Sequence, residues 1–290
     1  MEKLITKNKN AEFCPICHKK NPIEFDKKNG ILILKCPSCG LLWTPDMGKK
    51  VLDDFYSKSY FKSQDRVFGY NNYVEDEEIL RINARYILSE FPKFKDYQPK
   101  ILDIGCAHGF LLDEARKLGW ETQGLEFSAE AVNYAVNKLN LDVSTGSIIQ
   151  ADFPESSFNI ITMIGVIEHL IDPVVAIRKI NKILKPGGYL AITTINTKGP
   201  IRLFDLKPPE HLYYFSAKNL SLLLERENFE VLKLSSYWCH YHLNEALDRA
   251  FRLIFKPNKR IEELLGRIPF LKISIKVPTN EMFILSQKLK

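Results

Sequence analysis

Four of the six cysteines in the chain form two pairs whose spacing could bind a metal ion. The pairs are Cys14-Pro-Ile-Cys17 and Cys36-Pro-Ser-Cys39, and 18 residues separate them. Each pair can direct two thiolates at one ion, and two pairs complete the tetrahedral coordination that zinc prefers. Because four thiolates leave no position for water, the pattern predicts a structural Zn²⁺ in a four-cysteine zinc ribbon over residues 1–48.

A second group of residues that could do chemistry lies in ILDIGCAHGF, residues 101–110. An apolar strand there ends in Asp103, and Gly105, Ala107 and Gly109 follow before a helix begins. Small residues let the backbone turn sharply and bring a ligand against the helix N-terminus. The spacing differs from the Gly-x-Gly-x-x-Gly fingerprint of dinucleotide-binding proteins. We predict a ligand site at this turn, with Asp103 facing a cationic group of the ligand.

The next strand of this region ends in Glu126, within ETQGLEFS. In dinucleotide-binding folds an acidic residue about 20 residues after the glycine turn accepts hydrogen bonds from ribose hydroxyls. Strand, small-residue turn, helix and a strand ending in a glutamate together predict a site for a nucleoside.

A third group consists of Glu168 and His169, which follow a predicted fourth strand, and His211, which follows a fifth by a loop. These strand ends border the ligand crevice of a doubly wound sheet. A histidine that titrates near neutral pH can act as a general base, so His169 and His211 are candidate catalytic residues, with Glu168 beside His169. Two alternatives are structural: His169 would cap the helix that begins near Asp172, and His211 would anchor its own loop by hydrogen bonds.

The elements that position these residues are visible from residue 100 onward, where short apolar strands alternate with amphipathic helices. That alternation predicts an α/β fold with a doubly wound parallel sheet over residues 99–290. Residues 49–98 have helical periodicity and are predicted to form a connector or substrate cap. Their aromatic residues Tyr56, Tyr60 and Phe61 either line the acceptor pocket or pack between helices.

Residues 237–280 interrupt this alternation and are predicted to be an insertion before a last apolar strand. Within them, WCHYHLNEALDRAFRLIFK reads as a helix with one apolar face and Arg249 and Arg252 elsewhere. Such a helix normally packs on its own domain. A second hypothesis is contact with a membrane surface or a lipid-linked acceptor.

The composition is that of an ordinary globular chain: 290 residues, 45% apolar and 26% charged. Apolar runs are too short for a membrane span, and the N-terminus lacks the apolar region of a signal peptide, so we expect a cytoplasmic protein.

Residues 1–50 and 237–290 each carry 10 basic and 5 acidic residues, whereas residues 51–236 carry 21 basic and 25 acidic. Basic ends suggest an anionic partner at the periphery, or lysines that only aid solubility.

The motifs ILDIGCAHG, GLEFS, FNIITMIGVIEHLIDP, ILKPGGYLAITTIN and PEHLYYFSAKNLSLLLERENFEV resemble those of class I S-adenosylmethionine (SAM)-dependent methyltransferases. The resemblance to bacterial members with an N-terminal four-cysteine ribbon extends over nearly the whole chain. The resemblance implies a Rossmann-like sheet, a loop that cradles the methionine part of SAM, and a glutamate that binds the ribose. It assigns cofactor contacts to Asp103, Gly105, Ala107, Gly109, Glu126, Phe127, Ser147, Ile148 and Met163.

Two departures from the family pattern concern the adenine contact and the divalent metal site of some members. Ser147 stands where an aspartate near the adenine is common. Small-RNA 2′-O-methyltransferases and ubiquinone-pathway O-methyltransferases hold a divalent metal with Glu-x-x-Glu-His and a distant histidine, but the first glutamate is Gly165 here. Sugar C-methyltransferases also carry a Glu-His pair and a ribbon, so the resemblance favours acid–base roles for Glu168 and His169.

The resemblance therefore implies methyl transfer from SAM to a small-molecule or sugar acceptor, with nucleotide-linked and lipid-linked acceptors included. One alternative is an RNA methyltransferase whose basic ribbon binds phosphates, although the chain lacks a basic run interleaved with aromatic residues. A second alternative is a protein that binds SAM without turnover.

Overall fold

The computed structural model describes residues 12–45, 76–95, 97–199, 206–243, 247 and 273–290. The strands within these residues are β1 (Ile23–Lys28), β2 (Ile31–Lys35), β3 (Leu42–Trp43), β4 (Lys100–Ile104), β5 (Glu121–Glu126), β6 (Val143–Thr145), β7 (Phe158–Ile164), β8 (Leu184–Ile195), β9 (Tyr213–Tyr214), β10 (Phe229–His242) and β11 (Ser274–Lys288). The helices are α1 (Glu77–Ser89), α2 (Phe110–Lys117), α3 (Ala129–Leu139), α4 (Pro173–Ile183) and α5 (Ala217–Arg226).

The larger sheet has the strand order β10-β11-β8-β7-β4-β5-β6. Strands β4 to β8 pair in parallel, and β11 pairs antiparallel with both β8 and β10. The chain order reverses between β4 and β7, which is the topological switch point where doubly wound sheets bind ligands. The sequence prediction of a Rossmann-like α/β fold is confirmed.

The helices begin where the sequence supplies their caps. Ser128 accepts a hydrogen bond from the backbone N–H of Ala131 at the start of α3. Asp172 does the same for Val175 at the start of α4, where Pro173 occupies a first-turn position. These side chains satisfy backbone N–H groups that have no partner within the helix.

Helix α1 lies against α2 through buried charges. Arg81 contacts the carboxylates of Asp113 at 2.6 Å and Glu114 at 2.8 Å, and its guanidinium lies 5.0 Å from the centre of the Phe110 ring. Helix α1 is the helix described within the predicted connector, whose residues 49–75 lie outside the described residues. The helix therefore packs on the element that follows the glycine turn.

The smaller sheet has the order β1-β2-β3-β9 and contains the four-cysteine region. Its first three strands come from the N-terminal segment, and ILILK, which lies between the two cysteine pairs, forms β2. Its fourth strand, β9, comes from the larger α/β region about 170 residues later, counted from Trp43 to Tyr213. The two regions thus share one sheet.

The predicted insertion over residues 237–280 is wrong at both ends. Strand β10 continues through His242 and pairs with β11 down to the His242–Ser274 pair. The segment beginning at Trp238 is therefore a strand, not the start of a helix. Tyr237, Cys239 and Tyr241 are buried while Trp238 is 43% exposed, which is the two-residue alternation of a half-buried strand.

What remains of this insertion falls mostly outside the described residues. Leu243 and Leu247 are helical, whereas residues 244–246 and 248–272 are not described. The hypothesis of membrane contact through this segment stays untested. None of the helices described has the length and apolar character needed to cross a bilayer.

Candidate functional site

The four predicted zinc ligands lie together in the N-terminal unit, which comprises residues 12–45 of the described chain. The Sγ atoms of Cys14 and Cys39 are 3.6 Å apart, and those of Cys17 and Cys36 are 3.4 Å apart. All four side chains are buried. With zinc–sulfur bonds of about 2.3 Å, a tetrahedral site needs sulfurs separated by a little under 4 Å, so the donor set fits Zn²⁺.

The turns after the two cysteine pairs support this geometry. His18 and Gly40 follow the pairs, and both have left-handed backbones with φ of 57° and 77°. His18 is exposed, so four cysteines and no histidine form the cluster. Zinc binding by these residues stays a prediction, and the cluster is compatible with it.

The loop from Gly105 to Gly109 joins β4 to α2 in the turn that the sequence predicts. Gly105, Ala107 and Gly109 all have positive φ angles, of 74°, 47° and 85°. A Cβ at Gly105 would lie 2.4 Å from Val166 Cγ2, because the loop packs directly against the segment that leads to Glu168. Glycine at this position therefore brings the two groups of candidate residues next to each other.

Glu126 ends β5, and its carboxylate faces this loop. Its Oε2 accepts a hydrogen bond from the backbone N–H of Ala107, and its Oε1 accepts one from the N–H of Ser128, both at 2.8 Å. Phe127 is 57% exposed beside it. Glu126, the residue predicted to bind the ribose, thus holds the loop from Gly105 to Gly109 (the cofactor loop) against the end of β5 in this structure.

Asp103 is buried at the end of β4 and accepts a hydrogen bond of 2.7 Å from the Thr162 hydroxyl of β7. Burial raises the pKa of its carboxyl to about 7, and the nearby charge of Glu126 also raises it. A cationic ligand group at this point would favour the ionised form and lower that pKa.

Three further predicted cofactor contacts, Ser147, Ile148 and Met163, divide into two kinds. Ser147 lines a surface depression of about 270 Å³ beside Gly146 and Phe153. Ile148 and Met163 are instead 1% and 0% exposed within the hydrophobic core. Cofactor contact by all three stays a prediction.

The third group of residues converges at the end of β7. Glu168 and His169 lie in a 3₁₀ turn (Ile167–His169), and His211 comes from the loop before β9. One nitrogen or oxygen atom from each side chain lies within 4.8 Å of those of the other two. The two imidazole rings meet edge to face, with centres 4.7 Å apart.

Hydrogen bonds fix the orientation of this cluster. The Nδ1–H of His169 donates to the backbone carbonyl oxygen of Glu210 at 2.7 Å. The Thr194 hydroxyl donates to Glu168 Oε2 at 3.0 Å. Asp172 caps α4, so the alternative that His169 is the helix cap is wrong.

Burial determines the protonation of the cluster. It lowers the pKa of His211 to about 2 and also lowers that of His169, so both imidazoles are neutral near pH 7. It raises the pKa of Glu168 to about 7. A neutral imidazole can accept a proton from a substrate, but a pKa near 2 makes His211 a weak base, which favours His169 as the proton acceptor. Two imidazoles and a carboxylate are also suitable ligands for a divalent cation.

Glu210 is a residue that the sequence analysis did not single out. It is 5% exposed, burial raises its pKa, and its Oε2 has no hydrogen-bond partner among the described residues. The signal available was its place in Pro209-Glu210-His211, next to a candidate catalytic histidine.

Tyr56, Tyr60 and Phe61, the aromatic candidates for the acceptor pocket, lie outside the described residues.

A parallel sheet with a glycine turn after β4, a glutamate at the end of β5 and an imidazole–carboxylate cluster after β7 defines a Rossmann-like nucleoside-binding enzyme domain. Residues 75–234, more than half of the chain, match the family model described as "Methyltransferase domain". The chain belongs to this family, and its domain is that of a SAM-dependent methyltransferase.

Similar proteins carry names of the same class. Residues of this chain are 29% identical over 119 residues to a ubiquinone biosynthesis O-methyltransferase of Alkalilimnicola ehrlichii, covering 39% of this chain and 48% of that protein. A protein of the same name from Aliivibrio fischeri is 31% identical over 120 residues, covering 39% and 51%. The chain thus spans about half the length of these curated relatives.

The fold is also that of a solved structure. A SAM-dependent methyltransferase from Archaeoglobus fulgidus superposes with a TM-score of 0.53 at 19% identity, covering 76% of this chain and 100% of that one. At this identity the likeness supports the fold alone.

Proposed function

We propose that this protein transfers the methyl group of SAM to a small-molecule or sugar acceptor, with nucleotide-linked and lipid-linked acceptors included. The supporting observation is the packing of the cofactor loop against Val166, two residues before Glu168. This packing brings the predicted donor site and the Glu168–His169–His211 cluster together at the switch point of the sheet. The names of the curated relatives are consistent with a small-molecule acceptor.

The residues of this chain divide the work of the proposed reaction. SAM, when bound, supplies a methyl group on a sulfonium, which needs a nucleophile placed in line behind it. The loop from Gly105 to Gly109 and the carboxylate of Glu126 hold the donor. His169 accepts the proton of the acceptor's nucleophilic group, because its Nδ1–H donates to Glu210 and its Nε2 carries the lone pair of the neutral ring. Holding both reactants in one geometry supplies much of the acceleration.

A second candidate function is methylation of RNA, and one feature of the N-terminal unit favours it. Phe13 and Phe25 are 38% and 44% exposed, and Lys20 and Lys35 lie over their rings at 5.2 Å and 5.6 Å. Exposed aromatic rings beside lysines can stack on bases and contact phosphates. Binding of this kind would weaken steeply as the salt concentration rises.

The test is methyl transfer from labelled SAM to separated small-molecule and RNA fractions of a bacterial lysate, followed by identification of the labelled product. Label in the small-molecule fraction, absent when His169→Ala protein is used, supports the proposal. Label confined to RNA would establish the second candidate. Tight SAM binding without label in either fraction would contradict both and favour a protein that binds SAM without turnover.

A further inference from the structure

The four-cysteine unit, residues 12–45 of the described chain, contacts the segment 208–212, which carries His211, at both ends of that segment. After His211, β9 (Tyr213–Tyr214) pairs antiparallel with β3 (Leu42–Trp43) of the unit. Both tyrosines are buried, at 8% and 1% exposure. The strand that follows the candidate catalytic histidine is therefore part of the cysteine unit's sheet.

Leu212 links the unit directly to the catalytic cluster. Its N–H donates to the backbone oxygen of Glu168 at 2.8 Å. Its own carbonyl oxygen accepts hydrogen bonds from the Thr44 N–H at 2.9 Å and from the Thr44 hydroxyl at 3.3 Å. One residue beside His211 is thus held by Glu168 on one side and by the cysteine unit on the other.

The other end of the segment 208–212 is held by the turn between β1 and β2. The side-chain amide of Asn29 donates to the backbone oxygen of Pro208 at 3.3 Å. Within the loop, the His211 N–H donates to the Lys207 oxygen at 2.9 Å. Residues 208–212 are therefore fastened at both ends by side chains or backbone of the N-terminal unit.

We propose that the cysteine unit is a positioning element for the acceptor side of the site. Asn29 and Thr44 act through Pro208 and Leu212 to place His211 against His169 and Glu168. The buried residues of the unit, among them the four cysteines, Leu41 and Trp43, are part of one core with the larger domain. Because the four thiolates that fit a metal lie within this shared core, we expect loss of the metal to loosen the contact. The kinetic part of this proposal rests on the proposed methyltransferase function, whereas the structural part does not.

The structural part is tested by hydrogen exchange of the full chain, measured by mass spectrometry with zinc bound and after chelation. We expect amides of residues 207–214 to exchange roughly tenfold faster without zinc, while those of β4 stay unchanged. Equal exchange of residues 207–214 in both states would overturn the proposal. This result does not require methyl transfer, so it separates failure of this proposal from failure of the proposed function.

A substitution that keeps zinc bound provides a second test. Asn29→Gly removes the amide that holds Pro208 but retains a residue suited to the left-handed backbone, since Asn29 has φ of 53°. Asn21→Gly is the matched control, because Asn21 is exposed in the same unit and has φ of 61°. We expect roughly fivefold lower kcat for Asn29→Gly, with faster exchange of residues 207–214 and unchanged SAM affinity.

Two results of this comparison would count against the proposal. One is an Asn29→Gly protein with the kcat and loop exchange of Asn21→Gly. The other is a loss of SAM affinity equal to the loss of kcat, which would indicate general destabilisation. If no acceptor is methylated by the wild type, the exchange of residues 207–214 in the two variants still decides the structural part.

Discussion

The Nδ1–H of His169 donates to the backbone oxygen of Glu210, 2.7 Å away. The two residues are 41 positions apart, so this bond joins the turn after β7 to the loop before β9. A carbonyl oxygen can only accept, so the bond fixes the tautomer of the neutral ring and leaves the lone pair on Nε2. The proton acceptor of the proposed reaction is thus the Nε2 atom of His169.

Replacing this imidazole should separate catalysis from cofactor binding. We expect His169→Ala to lower kcat by about 100-fold or more, since general base catalysis contributes 10²–10⁴-fold, and to change the SAM dissociation constant by less than about twofold. Steady-state kinetics and titration calorimetry measure the two quantities. His240→Ala is the control, because His240 lies on β10, outside the cluster, and is hydrogen bonded to Asn83. Equal losses of kcat and SAM affinity in His169→Ala would make His169 structural.

The carboxylate at the end of β5 should control SAM affinity. Glu126→Gln weakens hydrogen bonds to a charged acceptor, so we expect SAM to bind about 10- to 100-fold more weakly by calorimetry. Glu121→Gln is a matched control on the same strand, where Glu121 is exposed and pairs with Lys100. Wild-type affinity in Glu126→Gln would refute the assignment of Glu126 to the ribose.

The buried carboxyl of Glu168 should make stability depend on pH. Its pKa is about 7 in the folded chain against an ordinary value of 4.5, so the folded state holds the proton more tightly. The free energy of unfolding contributed by this group therefore falls as pH rises from about 4.5 to about 7. Relative to wild type, Glu168→Gln should gain roughly 3 kcal/mol across that window. Denaturant unfolding at pH 4.5 and pH 8 measures the difference, and equal differences at the two pH values would contradict a raised pKa.

The metal content should depend on the clustered cysteines alone. We expect about one zinc per chain in wild type and well under one in Cys36→Ser, measured by elemental analysis. Cys239→Ser should keep the wild-type zinc content, because Cys239 is a buried cysteine on β10, outside the four-cysteine cluster. Chelation should lower the melting temperature of wild type and of Cys239→Ser by similar amounts. Zinc retained in full by Cys36→Ser would show that the ion binds elsewhere.

The sequence alone was enough for the features that depend on local pattern. The two cysteine pairs, the glycine turn after Asp103 and the strand that ends in Glu126 each lie within a short segment, where spacing and periodicity carry the information. The strand–helix alternation likewise determined the class of fold, because parallel strands need crossover helices.

Contacts between distant parts of the chain were decided only by the tertiary structure. Thr44 and Leu212 are separated by 168 positions, and the two-residue strands beside them are too short to show a period. Residues 237–242 alternate as a strand does, but they stand beside a segment with helical periodicity. The prediction therefore began the insertion at residue 237, although β10 continues to His242. The burial of Glu210 and the low pKa of His211 arise from the packing of a loop that has no regular structure of its own. Such properties depend on which surfaces meet, and local residue pattern does not encode that.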